Sequence, residues 1–205
     1  VLCSLGDGSV TEGEVSEAFQ MAVLKKLPIL YLVQDNGWGI SATAGEMRAM
    51  DAYEYAAGFK GLERMRVDGA GFEESFAAMQ KAIAYVRKNR APILVHARCP
   101  LLGHHTSGVR KEWYRGDDLA KQEKQDPLPR FEKYLLGMGF SKRELDALKQ
   151  KAAALVDTDY QQAVAAPGPA PDRRLRGPRR PAPDAPPALE PAARHHRHPA
   201  PRPHQ

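Results

Sequence analysis

The chain has 205 residues, 42% of them hydrophobic and 27% charged, with a formal net charge of +5 at pH 7. Residues 1–166 hold 22 Lys and Arg against 22 Asp and Glu, whereas residues 167–205 hold 8 Arg against 3 acids. The basic balance therefore belongs to the end of the chain and gives the main body no electrostatic case for nucleic acid, and no run of 18 apolar residues offers a membrane-spanning helix.

In chain order, Val1-Leu2-Cys3-Ser4-Leu5 and Ile29-Leu30-Tyr31-Leu32-Val33 read as buried strands, each too short for a helix and bounded by turn residues. The segment from about Thr11 to Lys26 reads as the helix between them, with Thr11 and Glu14 at capping-box spacing. Strand, helix and strand make a βαβ unit whose two strands lie parallel and side by side. Gly6-Asp7-Gly8 follows the first strand and Asp35-Asn36 the second, so both groups emerge at one sheet edge, where open α/β folds bind ligands. An isolated Gly-Asp-Gly is most often only a turn. A second polar group at this spacing, behind a second strand, favours a site instead. One carboxylate and one carboxamide oxygen suit Mg²⁺, which keeps phosphate and water among its ligands. Glycine lets a phosphate approach main-chain N–H groups, and a helix start nearby would favour the anion. A carbonyl in the Gly37-Trp38-Gly39 loop, that of Trp38, could complete the metal shell.

Further strands are expected at Arg64–Val67 and Ile93–Ala97. Helices are expected at Asp51–Phe59, Phe72–Asn89, Pro129–Leu136 and Lys142–Ala165, the last behind a Ser141/Glu144 capping box. This alternation predicts a doubly wound, mainly parallel α/β sheet. Val67-Asp68-Gly69 reads best as a plain turn at the same edge, though Asp68 could line the site. Cys3 and Cys99, both placed in strands, read as buried thiols suited to a reducing compartment. The Gly-bounded loop Gly103-His104-His105-Thr106-Ser107-Gly108 carries two adjacent histidines, one of which should point inward. A surface pair without a role is the alternative, and no CxxC or HxxxH spacing supports zinc. Arg115, beyond that loop, either faces an anion or is simply solvated.

Residues 167–205 hold 12 of the 17 prolines and 4 of the 7 histidines, a composition that cannot offset chain entropy by burial. A disordered tail follows, distinct from a folded region over 1–166. It has no aromatic residue for base stacking, so neither nucleic acid nor membrane is an expected partner. Val1 stands inside a strand that needs neighbours on both sides, which leads us to expect a fragment holding the C-terminal part of its domain.

The stretches GDGSVTEGEVSEAFQMAVLKKLPILYLVQDNGWGIS, MRVDGAG, LLGHHTSG, EWYR and KQDPLPRFEKYL resemble the thiamine-diphosphate enzymes over roughly residues 1–165. Within them the chain is most similar to the alpha subunit of 2-oxoacid dehydrogenases, the branched-chain (2-oxoisovalerate) member in particular. The resemblance implies a diphosphate- and Mg²⁺-binding domain in which Asp7, Asn36 and the main chain of Trp38 hold the metal. It implies that Gly8 and Ser9 contact the diphosphate and that His105 contacts the cofactor and assists acyl transfer, with His104 the weaker candidate. Thr106 and Ser107 fall where animal relatives are phosphorylated. The implied reaction is oxidative decarboxylation of a branched 2-oxoacid with acyl transfer to lipoyl groups of an acyltransferase core. The implied partner is a beta subunit, separate or fused, usually in a two-alpha, two-beta assembly, without which this chain should be inactive. Pyruvate or acetoin as substrate, or a non-catalytic remnant with a basic tail, are the alternatives. A bacterial cytoplasm is the expected location, or the mitochondrial matrix in a eukaryote. Two departures stand out. Asp35 occupies a position where many members carry Asn, which adds a charge near the metal. Trp38 replaces the usual Tyr, which should matter little if only its carbonyl is used.

Overall fold

Strand β1 (Leu2–Gly6), helix α1 (Gly13–Leu24) and strand β2 (Leu30–Asp35) form the first βαβ unit of a computed structural model that describes residues 1–106, 108 and 110–168. A two-stranded ribbon of β3 (Trp38–Gly39) and β4 (Ala42–Thr43) follows, then the short helices α2 (Ala44–Met47) and α3 (Ala52–Ala56). Strand β5 (Glu63–Asp68), helix α4 (Phe72–Asn89) and strand β6 (Ile93–Arg98) make a second βαβ unit. The four long strands form one parallel sheet in the order β1-β2-β6-β5.

Alternation along the central strands fills both faces. Tyr31, Val33 and Leu94 join Phe19 and Ala22 of α1 and Ala52 and Ala56 of α3 in one core. Leu30, Ile93 and Val95 join Ala82 and Val86 of α4 in the other. Phe19 is fully buried and meets the rings of Tyr31 and Phe59 edge-on, with centroids 4.9 and 5.3 Å away. The expected α/β parallel sheet with helices on both faces is thus what forms. The central strands are covered on both sides as parallel sheets require, whereas edge strand β1 is half open, with Leu2 54% exposed.

Local chemistry moves some boundaries. The Thr11/Glu14 capping box does not form. Ser9 Oγ donates to the Gly6 carbonyl at 2.7 Å and Thr11 Oγ1 to the Gly8 carbonyl at 2.8 Å. These bonds reach back three residues and accompany a 3₁₀ turn at Gly8–Thr11, so α1 starts only at Gly13, behind Glu12. Helix α3 is shorter than expected, with Asp51 as its cap: Asp51 Oδ1 accepts the Glu54 N–H at 2.9 Å. Cys99 lies just past β6 rather than within a strand, and both cysteines are half-buried free thiols.

Beyond β6 come α5 (Asp118–Glu123), α6 (Pro127–Gly137) and α7 (Lys142–Ala165). Helix α6 starts two residues earlier than expected because Asp126 caps it, accepting the Leu128 N–H at 2.8 Å, with Pro127 in its first turn. Before α7, Glu144 Oε2 accepts from Ser141 N and Oγ at 2.8 and 2.7 Å, as the capping-box spacing predicts. The chain divides into two compact units, Val1–Ala152 and Ala153 onward. The described part of the second is the C-terminal half of α7 and three further residues, with Leu155, Val156, Tyr160 and Val164 exposed. The tail expected over 167–205 lies outside the described residues from 169 onward.

Candidate functional site

Register brings the two predicted loops together. Gly6 of β1 lies opposite Gln34 of β2, so Asp7 leaves the sheet level with Asp35 and beside Asn36. Asp7 and Asp35 are both buried, at 3% and 7% exposure. One guanidinium joins them. Arg48, just past α2, donates from Nη1 to Asp7 Oδ2 at 2.7 Å and from Nη2 to both oxygens of Asp35 at 2.9 Å. From within the sheet, His96 Nε2 bonds Asp35 Oδ2 at 2.7 Å, and the Gly37 N–H donates to Asp35 Oδ1 at 2.9 Å. His96 is fully buried, and its Nδ1 lies 3.8 Å from Asp51 Oδ2, too far for a hydrogen bond.

Burial and the facing Asp35 charge raise the Asp7 pKa above its ordinary value, although Arg48 pulls it down. For Asp35 burial acts upward too, but the bonds from His96 and Arg48 prevail and hold it well below the usual carboxylate range. On acidification the proton therefore goes to Asp7 first.

The Asn36 loop closes on itself. Asn36 Oδ1 accepts the Trp38 N–H at 2.9 Å, which sets the carboxamide beside the Trp38 peptide. The Met47 side chain lies where a Cβ on Gly39 would stand. The Trp38 side chain is not idle, contrary to expectation: its Nε1 donates to Asp118 Oδ2 at 2.9 Å, and its ring lies 5.4 Å from that of Tyr114. Arg115 is not solvated, and the anion it faces is the carboxylate of Asp118. Its side chain is fully buried, bonded to the Leu101 carbonyl and, at 2.9 Å, to Asp118 Oδ2. Trp38, Arg115 and Asp118 thus clamp the base of the histidine loop against the Asn36 loop.

Within that loop His104 is already engaged, its Nδ1 accepting the Lys111 N–H at 2.9 Å. His105 is half-buried, and its Nδ1, shielded from solvent, has no partner among the described residues. Ser107 lies outside the described residues. Asp68 is paired with Arg130 at 2.9 Å and lines a cavity of about 650 Å³ together with Asp35, Asn36, Arg48, Arg98 and Cys99. Asp7, Thr11, Met47 and Tyr55 line a second cavity of about 280 Å³, to which Arg48 is common.

Thiamine diphosphate with Mg²⁺ fits the donor chemistry found. Among the described residues no cluster of three His, Cys, Asp or Glu side chains could hold a metal ion. A cation here would rest on one carboxylate with amide and main-chain oxygens, the set that leaves room for phosphate. Asp7 is the buried carboxylate whose charge is least compensated, and Arg48 is the only side chain bonded to it among the described residues. Asn36 Oδ1 has spent one of its two lone pairs on Trp38. A Cβ on Gly8 would meet nothing within 4 Å, so its main chain is approachable. The Ser9 hydroxyl is turned to Gly6 and donates there, leaving its oxygen to accept.

Sequence reasoning missed Arg48, His96 and Asp51. His96 carried a usable signal: a single imidazole inside Ile93-Leu94-Val95-His96-Ala97 must find a buried partner. Arg48 carried none, since nothing before the fold marks which arginine returns to the sheet edge.

Residues 1–172 match the family profile described as Dehydrogenase E1 component. The chain is 31% identical over 161 residues to the 3-methyl-2-oxobutanoate dehydrogenase subunit alpha of Mycobacterium tuberculosis, covering 78% of this chain and 44% of that one. It is 29% identical over 154 residues to the pyruvate dehydrogenase E1 component subunit alpha of Rickettsia conorii, covering 74% and 47%. It is 32% identical over 148 residues to the mitochondrial 2-oxoisovalerate dehydrogenase subunit alpha of Caenorhabditis elegans, covering 71% and 34%. The chain thus spans less than half the length of each of these three relatives.

Proposed function

The chain belongs to the dehydrogenase E1 component family, and from that premise we propose that it anchors thiamine diphosphate and Mg²⁺ on the alpha side of a branched-chain 2-oxoacid dehydrogenase. The observation that carries the reading is the meeting of Asp7 with the Asp35-Asn36 loop at one sheet edge, tied by a single guanidinium. Asp7, Asn36 Oδ1 and the Trp38 carbonyl would hold the metal, and the open main chain at Gly8 with Ser9 would meet the diphosphate. When bound, thiamine diphosphate supplies the carbanion chemistry that releases CO₂ from a 2-oxoacid. His105, whose shielded Nδ1 has no partner among the described residues, would hold or move a proton during acyl transfer. The Trp38–Asp118–Arg115 clamp keeps the histidine loop within reach.

A beta subunit, separate or fused, would complete the site, and a lipoyl arm of an acyltransferase core would accept the acyl group. Magnesium, lipoyl acceptor and an alpha–beta assembly are parts of the same proposal. Pyruvate is the second substrate reading, favoured by the similarity to the Rickettsia subunit. Comparing kcat/KM for pyruvate and 3-methyl-2-oxobutanoate separates the two.

Calorimetry on the intact alpha–beta assembly tests the cofactor reading. Thiamine diphosphate with Mg²⁺ at about a hundred times its dissociation constant should add ~2.7 kcal/mol of stability. Asp7→Ala should abolish that gain, and retention of normal binding would overturn the assignment. His105→Ala should leave the melt unchanged and lower turnover by about 10²–10⁴; an unchanged rate would return His105 to ordinary surface.

A further inference from the structure

Asp7 and Asp35 are treated very differently by their neighbours. Both oxygens of Asp35 are saturated: Oδ1 accepts from Arg48 Nη2 and Gly37 N, Oδ2 from Arg48 Nη2 and His96 Nε2. A carboxylate has about four lone-pair positions, so none remains for a metal ion. Among the described side chains Asp7 accepts only from Arg48, through Oδ2. Charge divides the same way: two carboxylates and one guanidinium leave the trio with a net −1, and Asp35 is the anion that Arg48 grips with both oxygens.

We infer, on the reading that a divalent cation sits at Asp7, that Arg48 and Asp35 are positioning residues for that cation. Arg48 fixes the Asp7 carboxylate through one oxygen and leaves the other to the ion. Asp35 cancels the guanidinium charge, so that Asp7 still presents a negative centre. This gives the acid at position 35 a purpose: an amide there would leave Asp7 alone to balance Arg48, and the trio neutral toward a cation.

The support behind Arg48 is rigid. Glu46 Oε2 accepts from Thr43 N and Oγ1 at 2.7 Å each, closing the capping box of α2. Met47 packs where Gly39 leaves room, and His96 braces Asp35 from the buried side. A planar guanidinium can address two carboxylates at once, which an ammonium does poorly. Hydrogen-bond partners behind metal ligands typically change metal affinity by about 10–100-fold.

The test uses the intact assembly, thiamine diphosphate, and Mn²⁺ as a paramagnetic stand-in for Mg²⁺. The double variant Asp35→Asn/Arg48→Met keeps the trio at −1, so long-range attraction for the cation is preserved while the orienting bonds are lost. It should bind Mn²⁺ about 10–100-fold more weakly and alter the Mn²⁺ resonance spectrum. Arg48→Lys, which keeps charge and fold, should lose several-fold and serves if the double variant does not fold. Wild-type affinity and spectrum in either variant overturn the inference, as does tighter binding by Arg48→Met, which would make Arg48 a competitor of the ion. If the wild type itself binds no Mn²⁺ with thiamine diphosphate, the cofactor reading fails before any substitution is made, and this inference goes with it.

Discussion

Asp35 and Glu132 are each gripped by two basic side chains. Asp35 lies between Arg48 and His96 at the sheet edge, and Glu132 on α6 lies between Lys142 and Lys149, at 2.6 Å from each. The Glu132 pKa is drawn down to about 2 by the two lysines. Each has two side-chain partners, but Lys142 and Lys149 are 61% and 46% exposed whereas Arg48 is 8% and His96 0%. Water can replace every partner of Glu132 and none of those of Asp35. Paired charges matter for structure in proportion to what would be left unsatisfied without them.

The largest expected difference follows directly. Asp35→Ala leaves Arg48 with Asp7 as its one carboxylate anchor and His96 Nε2 with no partner among the described residues, and breaking a buried pair in this way costs about 3–5 kcal/mol. At about 2–4 °C per kcal/mol for a chain of this size, the melting temperature should fall on the order of 10 °C. If Glu132→Ala costs as much as Asp35→Ala, the contrast is wrong.

A pH titration sharpens the contrast. The folded pKa of Asp35 lies below its unfolded value, ordinarily about 3.9. Its stabilisation is therefore complete above that value and lost as pH falls through the folded one. Acid melts below about pH 4 should be steep in the wild type and flatter in Asp35→Asn.

Asp7 has the opposite sign. Its folded pKa is raised, so stability is lost as pH rises from the unfolded value through the folded one. Asp7→Asn should raise the melting temperature of the cation-free protein at neutral pH while abolishing cation binding. A lowered melting temperature would mean that the Arg48 bond outweighs burial. Trp38→Phe, which removes one bond to Asp118, should cost about 1 kcal/mol, read in the same melts and as faster proteolysis in residues 102–114. Glu132→Gln, the smallest change, should leave the melt where it was.

The sheet was legible because Leu30–Val33 and Ile93–Ala97 are short apolar runs and α4 and α7 carry a helical period with clear ends. Residues 36–56 were less legible. The ribbon and α2 are only a few residues each, and the Gly39–Met47 contact joins positions eight apart that no periodicity relates. At the site, Asp7 and Asn36 could be read because strand exits are a topological fact. Arg48 and the Trp38 indole could not, because each meets its partner across sequence separations of 13 to 80 residues. The Thr11 box failed for a local reason: hydroxyls at Ser9 and Thr11 found carbonyls three residues back before a helix could use them.

The half-open flank of β1 has a practical consequence. Its outer row of amides and carbonyls is a template for another extended segment, flanked by the exposed Val1 and Leu2. Preparations of this chain without a covering neighbour should scatter light increasingly with concentration. A lysine at Leu2 should suppress that stickiness without touching the cation cradle at the strand's far end.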